Sequence, residues 1–242
     1  MKKLLVVLCS TVFLILSNAA IADWFLSSEI KGLIVKAEAG DVDAQFRVAS
    51  AYDSGKGAPR NGEEAMKWYR MAAERGHVEA QNSVGSGLQA EKRYEEALPW
   101  YEKASTQGHA LATNNLAYLY DLGLGVKQDR RKGFELYSRA ADLGWAEAMW
   151  NIANMYGAGQ LGPPDMVAAC TWVIRTQRFA DPKHQTLQVH IRGILPQLER
   201  MLTSDQLATC RKDGDSWAPQ ARKVTTDAQP GAAGDAPQAA RP

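Results

Sequence analysis

Residues 40–72 read GDVDAQFRVASAYDSGKGAPRNGEEAMKWYRMA, and much of the chain that follows repeats their pattern. The leading glycine, Gly40, recurs as Gly76, Gly108 and Gly144, at steps of 36, 32 and 36 residues. A fixed period in this range is typical of solenoids, in which similar supersecondary units stack on one another. The sequence therefore predicts one elongated array of repeats.

The spacing inside one copy predicts a helix, a turn and a second helix. Ala44, Val48 and Tyr52 are four residues apart, so they share one face of a helix. Ala65 and Trp68 begin a second stripe with helical spacing. Two glycines lie between the stripes, where a turn requires positive φ without a side-chain clash. Because one such hairpin cannot bury its apolar face alone, the copies must stack.

The pattern Gly-x-x-x-Ala-x-x-x-Leu-x-x-x-Tyr-x-x-Gly-x-Gly, followed by Ala-x-x-Trp-Tyr-x-x-Ala-Ala, resembles the Sel-1-like repeat (SLR), a relative of the tetratricopeptide repeat. The resemblance covers about residues 40–176. Two copies depart from it, because Gln89 to Arg93 replaces the glycine loop in the second and Gly159 to Pro164 distorts it in the fourth. The helices are expected to survive both changes.

The resemblance implies an all-α fold, a right-handed α-solenoid of about four helix-turn-helix repeats of the Sel-1-like or tetratricopeptide type, with capping helices at both ends. The sequence after Ala218 is rich in Ala, Pro, Gly and Gln, so it is expected to be disordered. We expect a signal peptide over 1–22, an N-terminal capping helix over 23–39, repeats over 40–180, C-terminal capping helices over 181–217 and a disordered tail over 218–242.

Helix ends are predicted from the glycines and from capping residues. Asp23 is expected to cap a helix from Trp24 to about Glu38. Pro196 is expected to kink a helix near the C-terminal end, since proline removes one helical hydrogen bond. The predicted helices that follow the first are 41–54 with 61–75, 77–89 with 93–107, 109–122 with 129–143, 145–157 with 165–179, and then 184–201 and 205–213.

The N-terminus has the features of a secretory signal peptide. Lys2 and Lys3 precede an apolar run over 4–16, and 20–22 offers a small-x-small cleavage site. The run is shorter than the roughly 20 residues that a membrane span needs. The mature chain is therefore expected to begin at Asp23 and to be periplasmic, without membrane insertion. An uncleaved anchor is the alternative.

Charge and cysteine content restrict the function further. The chain has 28 Lys and Arg against 27 Asp and Glu, so it lacks the basic excess that nucleic acid binding requires. Cys170 and Cys210 remain after processing, and an even pair in an oxidising compartment favours a disulfide. The alternative is two buried small hydrophobic side chains.

Catalytic and metal-binding patterns are weak. No Cys-x-x-Cys or His-Glu-x-x-His is present, so no metal site or cofactor is expected. Ser28 and Lys31 match the Ser-x-x-Lys of serine β-lactamases, but the accompanying Lys-Thr-Gly is missing. His77 and His109 directly follow repeat glycines, so we interpret them as residues of helix starts. The sequence does not predict an enzyme.

A surface of the repeats is the better candidate site. In the tetratricopeptide architecture that these repeats resemble, the first helix of each pair lines a concave groove. Amide and aromatic side chains at the groove positions suit recognition of a protein, although an ordinary solvated helix face is the alternative. The candidate partner-binding residues are Phe46, Ser50, Asp53, Asn82, Ser86, Asn114, Tyr118, Asp121, Trp150 and Asn154, with Gln89 in the same rows and Asp43, Glu79 and Glu147 at the lip.

The sequence therefore favours a non-enzymatic periplasmic module that binds a protein partner in its concave groove. From the resemblance, such a protein is expected to act as an immunity protein or inhibitor of an antibacterial effector, for example a phospholipase. The alternatives are an adaptor or regulator of a sensor kinase or of envelope assembly and, less favoured, a β-lactamase-like hydrolase that uses Ser28.

Overall fold

The structure is a computed structural model that describes residues 26–220. Within these residues it contains eleven α-helices and no β-strand. The predicted signal peptide and the tail after Gln220 lie outside the described residues. The helices are α1 Ser28–Glu38, α2 Val42–Ser54, α3 Gly62–Glu74, α4 Val78–Ala90, α5 Tyr94–Thr106, α6 Ala110–Leu122, α7 Arg130–Asp142, α8 Ala146–Gly157, α9 Met166–Phe179, α10 Gln185–Met201 and α11 Ser204–Ser216.

Eight of these helices form four hairpins, each with a first helix (α2, α4, α6 and α8) and a second helix (α3, α5, α7 and α9). Each second helix packs against the first helix of the next hairpin, so the hairpins stack in chain order. This arrangement is the all-helical solenoid that the sequence predicted.

Alanines and tyrosines of the repeat pattern form the core between helices. Ala80, Ala112 and Tyr101 are completely buried, and Tyr137 is 1 % exposed. A β-carbon added at Gly85 would lie 2.7 Å from the Tyr101 ring, so the first helix has no side chain where the tyrosine packs. Small residues on one helix thus admit large rings from the other.

The glycine loops connect successive units as well as turning the chain. Gly57 has a φ of 79°, and a β-carbon there would lie 2.9 Å from Ser27 Oγ. Gly125 approaches the preceding unit in the same way, because a β-carbon would lie 2.5 Å from the backbone nitrogen of Glu95. In these two loops the second glycine is therefore required both for positive φ and for this close contact.

Buried glutamines hold the end of one helix to the start of another. Gln45 Nε2 donates to the carbonyl oxygen of Ala37 at 3.0 Å, and Gln81 Nε2 donates to that of Ala73 at 3.1 Å. These carbonyls lie in the last turns of α1 and α3, where each also accepts from the backbone N–H of the glycine that follows, Gly40 or Gly76, at 3.0 Å. Each bond therefore joins neighbouring units of the array.

The N-terminal helix differs from its prediction. It begins at Ser28 rather than at Trp24, and Ser27 caps it by accepting from the backbone N–H of Ile30 at 3.3 Å. Ser27 is extended because its own N–H donates to the carbonyl of Gly57 at 2.8 Å. The predicted cap, Asp23, lies outside the described residues.

Of the two C-terminal helices, α10 matches its predicted bounds and α11 is longer than predicted. Helix α10 continues through Pro196, which is solvent-exposed, so the carbonyl that loses its hydrogen bond can be hydrated. Helix α11 extends to Ser216 and begins with a capping box, in which Thr203 and Gln206 each bond the other's backbone N–H. Thr-x-x-Gln is a readable signature of this box.

A disulfide and an aromatic cluster attach α11 to the last hairpin. Cys170 in α9 and Cys210 in α11 are bonded, with Cα atoms 5.8 Å apart. Trp217 follows α11 and packs edge-on against Phe179, with ring centroids 5.6 Å apart. Arg178 Nη1 donates to the carbonyl of Trp217 at 2.9 Å. Among the helices described, none is both long and apolar enough to span a membrane.

Candidate partner-binding face

The first helices present a continuous surface, which we call the first-helix face. It consists of the columns of α2, α4, α6 and α8 that carry Asp43, Phe46, Arg47, Ser50 and Asp53 and their counterparts in the later repeats. Of the ten residues predicted to bind a partner, Asp53 is exposed. Seven are half-buried, namely Phe46, Ser50, Ser86, Asn114, Tyr118, Trp150 and Asn154.

The other two predicted residues are buried. Asn82 is 9 % exposed and Asp121 is 3 % exposed. Asp121 is covered because Gly133 lets α7 approach closely: a β-carbon at Gly133 would lie 3.2 Å from the Asp121 β-carbon. The Asp121 carboxylate lies 3.9 Å from Arg130 Nε. Both positions, which the sequence assigned to the groove, are therefore largely covered by neighbouring helices in the structure.

Tyrosines from the second helices reach this face. Tyr69 of α3 lies between α2 and α4, where its hydroxyl has hydrogen-bonding contact with Ser50, Asp53 and Ser83. Burial, together with the nearby Asp53 carboxylate, raises the pKa of Tyr69 to about 12. The hydroxyl therefore remains a neutral donor at physiological pH.

The next hairpin repeats this arrangement with Tyr101. Its hydroxyl donates to Gln89 Oε1 at 2.9 Å and lies 3.3 Å from Ser86 Oγ. Burial raises the pKa of Tyr101 to about 12, and Asn115 of the following first helix is also in contact. Polar residues predicted to bind a partner thus also hold tyrosines of the core, a role that sequence spacing within one helix did not reveal.

Histidines lie at the helix starts, as their position after the repeat glycine predicted, and they cap these helices. His77 Nδ1 accepts from the backbone N–H of Ala80 at 3.2 Å, and His109 Nδ1 accepts from that of Ala112 at 3.1 Å. His77 also stacks on Phe46, with ring centroids 4.4 Å apart. The capping bond requires an unprotonated Nδ1.

His109 is expected to make stability depend on pH. Burial lowers the pKa of His109, and the nearby Glu79 opposes the shift only in part. As pH falls below about 6.5, the unfolded chain binds a proton that the folded chain excludes. The stabilising contribution of His109 is therefore complete above about pH 6.5 and is lost as pH falls through the lowered pKa.

The check is urea denaturation of the wild type and of His109→Asn between about pH 7 and pH 5. Asparagine retains a capping oxygen but does not titrate in this range. The wild type should lose more stability than the variant over this interval. Equal losses would show that His109 does not contribute to the pH dependence.

Helix α10 lies against the C-terminal end of the first-helix face. His184 caps α10, and its Nε2 lies 3.2 Å from Glu147 Oε1. His190 stacks on Trp150, with ring centroids 5.4 Å apart and planes inclined by 14°. Their spacing of six residues does not place these histidines on one helical face, so sequence spacing did not relate them. The Trp150 ring therefore packs against α10, and only the part of this ring that stays exposed is open to a partner.

A pair of amides links the third and fourth first helices. Asn151 Nδ2 of α8 donates to Asn114 Oδ1 of α6 at 3.2 Å. The bond orients the Asn114 amide within the face. The Asn114 amide, together with Tyr118 and Asn154, forms a polar and aromatic surface in the middle of the array.

The Ser-x-x-Lys match lies away from this surface. Ser28 and Lys31 lie exposed on α1, outside the first-helix face. Across residues 26–220, no group of three or more metal-ligating side chains could hold a metal ion. The first-helix face presents hydrogen-bonding groups, aromatic rings and charged groups, which are the kinds of group that bind other molecules.

The fold and this face define a helical-repeat scaffold for protein–protein interaction. The Sel1 repeat model matches residues 42–77, 78–109, 110–145 and 146–175, which together exceed half of the chain. The chain belongs to the Sel1 repeat family, and its repeats form a protein-interaction module of a kind that is generally non-catalytic. No curated protein matches the chain significantly.

Solved structures agree with this assignment. The chain is 31 % identical to a Sel1 repeat protein from Oxalobacter formigenes, with a TM-score of 0.63 and 75 % of each chain covered. It is 26 % identical to a protective antigen with an SLR fold from uropathogenic Escherichia coli, with a TM-score of 0.71. That match covers 88 % of this chain but spans only 45 % of the antigen's chain.

A more distant match is an immunity protein from Pseudomonas aeruginosa. It is 16 % identical, with a TM-score of 0.43, and covers 70 % of this chain and 73 % of the other. A likeness of this size carries no argument about function.

Proposed function

We infer that the protein is a non-enzymatic periplasmic interaction module that binds a protein partner across the first-helix face. The observation that supports this most directly is the set of half-buried polar and aromatic residues at equivalent columns of successive first helices, including Phe46, Asn114, Tyr118 and Asn154. Aromatic residues are enriched in the cores of protein interfaces, where they often act as anchors.

Support for export comes from two separate parts of the chain. Lys2 and Lys3 precede an apolar run and a small-x-small site, as in secretory signal peptides. The disulfide between Cys170 and Cys210 is of the kind that persists in oxidising compartments. Within the periplasm, the role proposed is inhibition of an antibacterial effector such as a phospholipase, with an adaptor in sensing or envelope assembly as the alternative.

Replacing Tyr118 with alanine is expected to weaken partner binding by about 1–3 kcal/mol, because a half-buried aromatic anchor would be lost. Tyr120→Ala is the matched control. It removes the same side chain from the same helix on another side, where the Tyr120 hydroxyl accepts from Lys132 Nζ at 2.7 Å. The control should leave affinity unchanged.

The measurement is capture from envelope and secreted fractions with the full-length protein expressed with its own leader, followed by titration of the captured partner against both variants. A partner lost with Tyr118→Ala but retained with Tyr120→Ala supports the first-helix face. An effector among the captured proteins favours inhibition, and a sensor or assembly protein favours an adaptor. Equal effects of the two variants would contradict binding at this face.

A further inference from the structure

The charges on the first-helix face are strongly one-sided. Within its described columns, the carboxylates Asp43, Asp53, Glu79 and Glu147 are exposed or half-buried. The same columns contain one cation, Arg47, and its guanidinium is already paired with Glu29 at 2.9 Å. The whole chain has a net charge of +1, so this excess of acid is local to the face.

Two of these carboxylates, Asp43 and Glu147, already lie beside histidines of the chain. Asp43 Oδ1 lies 3.6 Å from His77 Nε2, and the same imidazole stacks on Phe46, one turn after Asp43. At the other end, Glu147 lies beside His184, and His190 stacks on Trp150, again one turn later.

A carboxylate and an aromatic ring, three residues apart on one helix, therefore receive flat nitrogen-containing groups at both ends of the face. A guanidinium group has the same planar shape and carries a permanent charge, so it suits such a pair particularly well.

Amides occupy the positions between these two ends. Asn82 lies one turn after Glu79 and is 9 % exposed, and its Oδ1 accepts no hydrogen bond from the residues of the structure. A buried acceptor without a donor is costly, so a nearby donor would be stabilising. Asn114 is the equivalent residue of the next repeat, and its amide has donor as well as acceptor capacity. Side-chain amides of this kind can bond the backbone of an extended polypeptide.

We propose that the first-helix face binds an extended, positively charged segment of a protein partner. Arginine or lysine side chains of the segment contact Asp43, Glu79 and Glu147, and its backbone lies along Asn82 and Asn114. This inference rests on the proposed function and adds the chemistry of the partner to it. Electrostatic complementarity of this kind selects the partner and accelerates its association.

Fluorescence anisotropy with labelled peptides tests the proposal. Three peptides of equal length alternate glycine and serine with arginine, glutamine or glutamate, and each is titrated with the full-length protein. The arginine peptide should bind, the glutamine peptide should bind weakly and the glutamate peptide should not bind. The double variant Asp43→Asn, Glu79→Gln should weaken the arginine peptide by about three- to tenfold, because two charge pairs are lost.

Glu63→Gln, Glu95→Gln is the matched control. Both of its glutamates are exposed in the first turns of second helices, so the control makes the same change in net charge away from the face. It should leave affinity unchanged. Circular dichroism establishes that all the variants remain helical.

Two outcomes would overturn the inference. Equal weakening by the two double variants would mean that net charge alone attracts the peptide. Failure of the arginine peptide to bind would contradict recognition of a positively charged segment. Neither outcome affects the proposed function, which depends on a captured partner that is sensitive to Tyr118→Ala. A partner can be lost with Tyr118→Ala and still bind Asp43→Asn, Glu79→Gln normally. That result would support the proposed interaction module and contradict only the proposal that its partner segment is positively charged.

Discussion

Replacing Tyr101 with alanine is expected to lower the free energy of unfolding by about 3–5 kcal/mol. The side chain is fully buried between α4 and α5, with its ring over the bare backbone of Gly85. Alanine would leave a cavity that α4 cannot fill, because Gly85 has no side chain to move into it. Urea denaturation at neutral pH, followed by circular dichroism, measures the loss.

Tyr101→Phe separates the ring from the hydroxyl. Phenylalanine retains the packing on Gly85 but removes the bond to Gln89 Oε1, so it should cost about 0.5–1.5 kcal/mol. Its effect should therefore be a minor part of the alanine effect. If phenylalanine were as destabilising as alanine, the polar contacts of the hydroxyl, and not the packing of the ring on Gly85, would be the main stabilising contribution of Tyr101.

Reducing the disulfide is expected to lower the free energy of unfolding by about 3–4 kcal/mol, since it closes a long loop in the unfolded chain. The bonded cysteines are 40 residues apart in sequence, and both are fully buried. Breaking the bond frees α11 from its covalent attachment to α9, although Arg178 still donates to Gly214 and Trp217.

Urea denaturation with and without a thiol reductant gives the measurement. The double variant Cys170→Ala, Cys210→Ala is the control, because it contains no bond to reduce and keeps small apolar side chains at both positions. The wild type should respond to reductant and the variant should not. A wild type indifferent to reductant would contradict a stabilising role for this bond.

The repeat helices could be predicted from sequence almost to the residue. The predicted helix 61–75 is Gly62–Glu74 in the structure, and the predicted 109–122 is Ala110–Leu122. The reason is local, since each first helix follows a glycine of positive φ, and three of the four begin at a capping side chain such as His109. Patterns of this kind involve only a few neighbouring residues, so they can be recognised from the sequence.

The depth of each side chain could not be predicted in the same way. Asp121 and Asp53 occupy the same column, yet Asp121 is buried and Asp53 is exposed. The difference depends on Gly133, a residue of the facing helix that allows close packing. The contacts of His184 and His190 with α8 are equally non-local, because they depend on where α10 docks rather than on its own spacing.

The disulfide also makes the two ends of the array unequal. In a linear array, order is maintained by contacts between nearest neighbours, and an end unit has only one neighbour. At the C-terminal end, a covalent bond compensates for the missing neighbour by tying α11 to α9. At the N-terminal end, α1 is held by weaker links such as the bond from Gln45 to Ala37. We therefore expect unfolding of the described array to begin at α1 and to proceed toward the disulfide-bonded end.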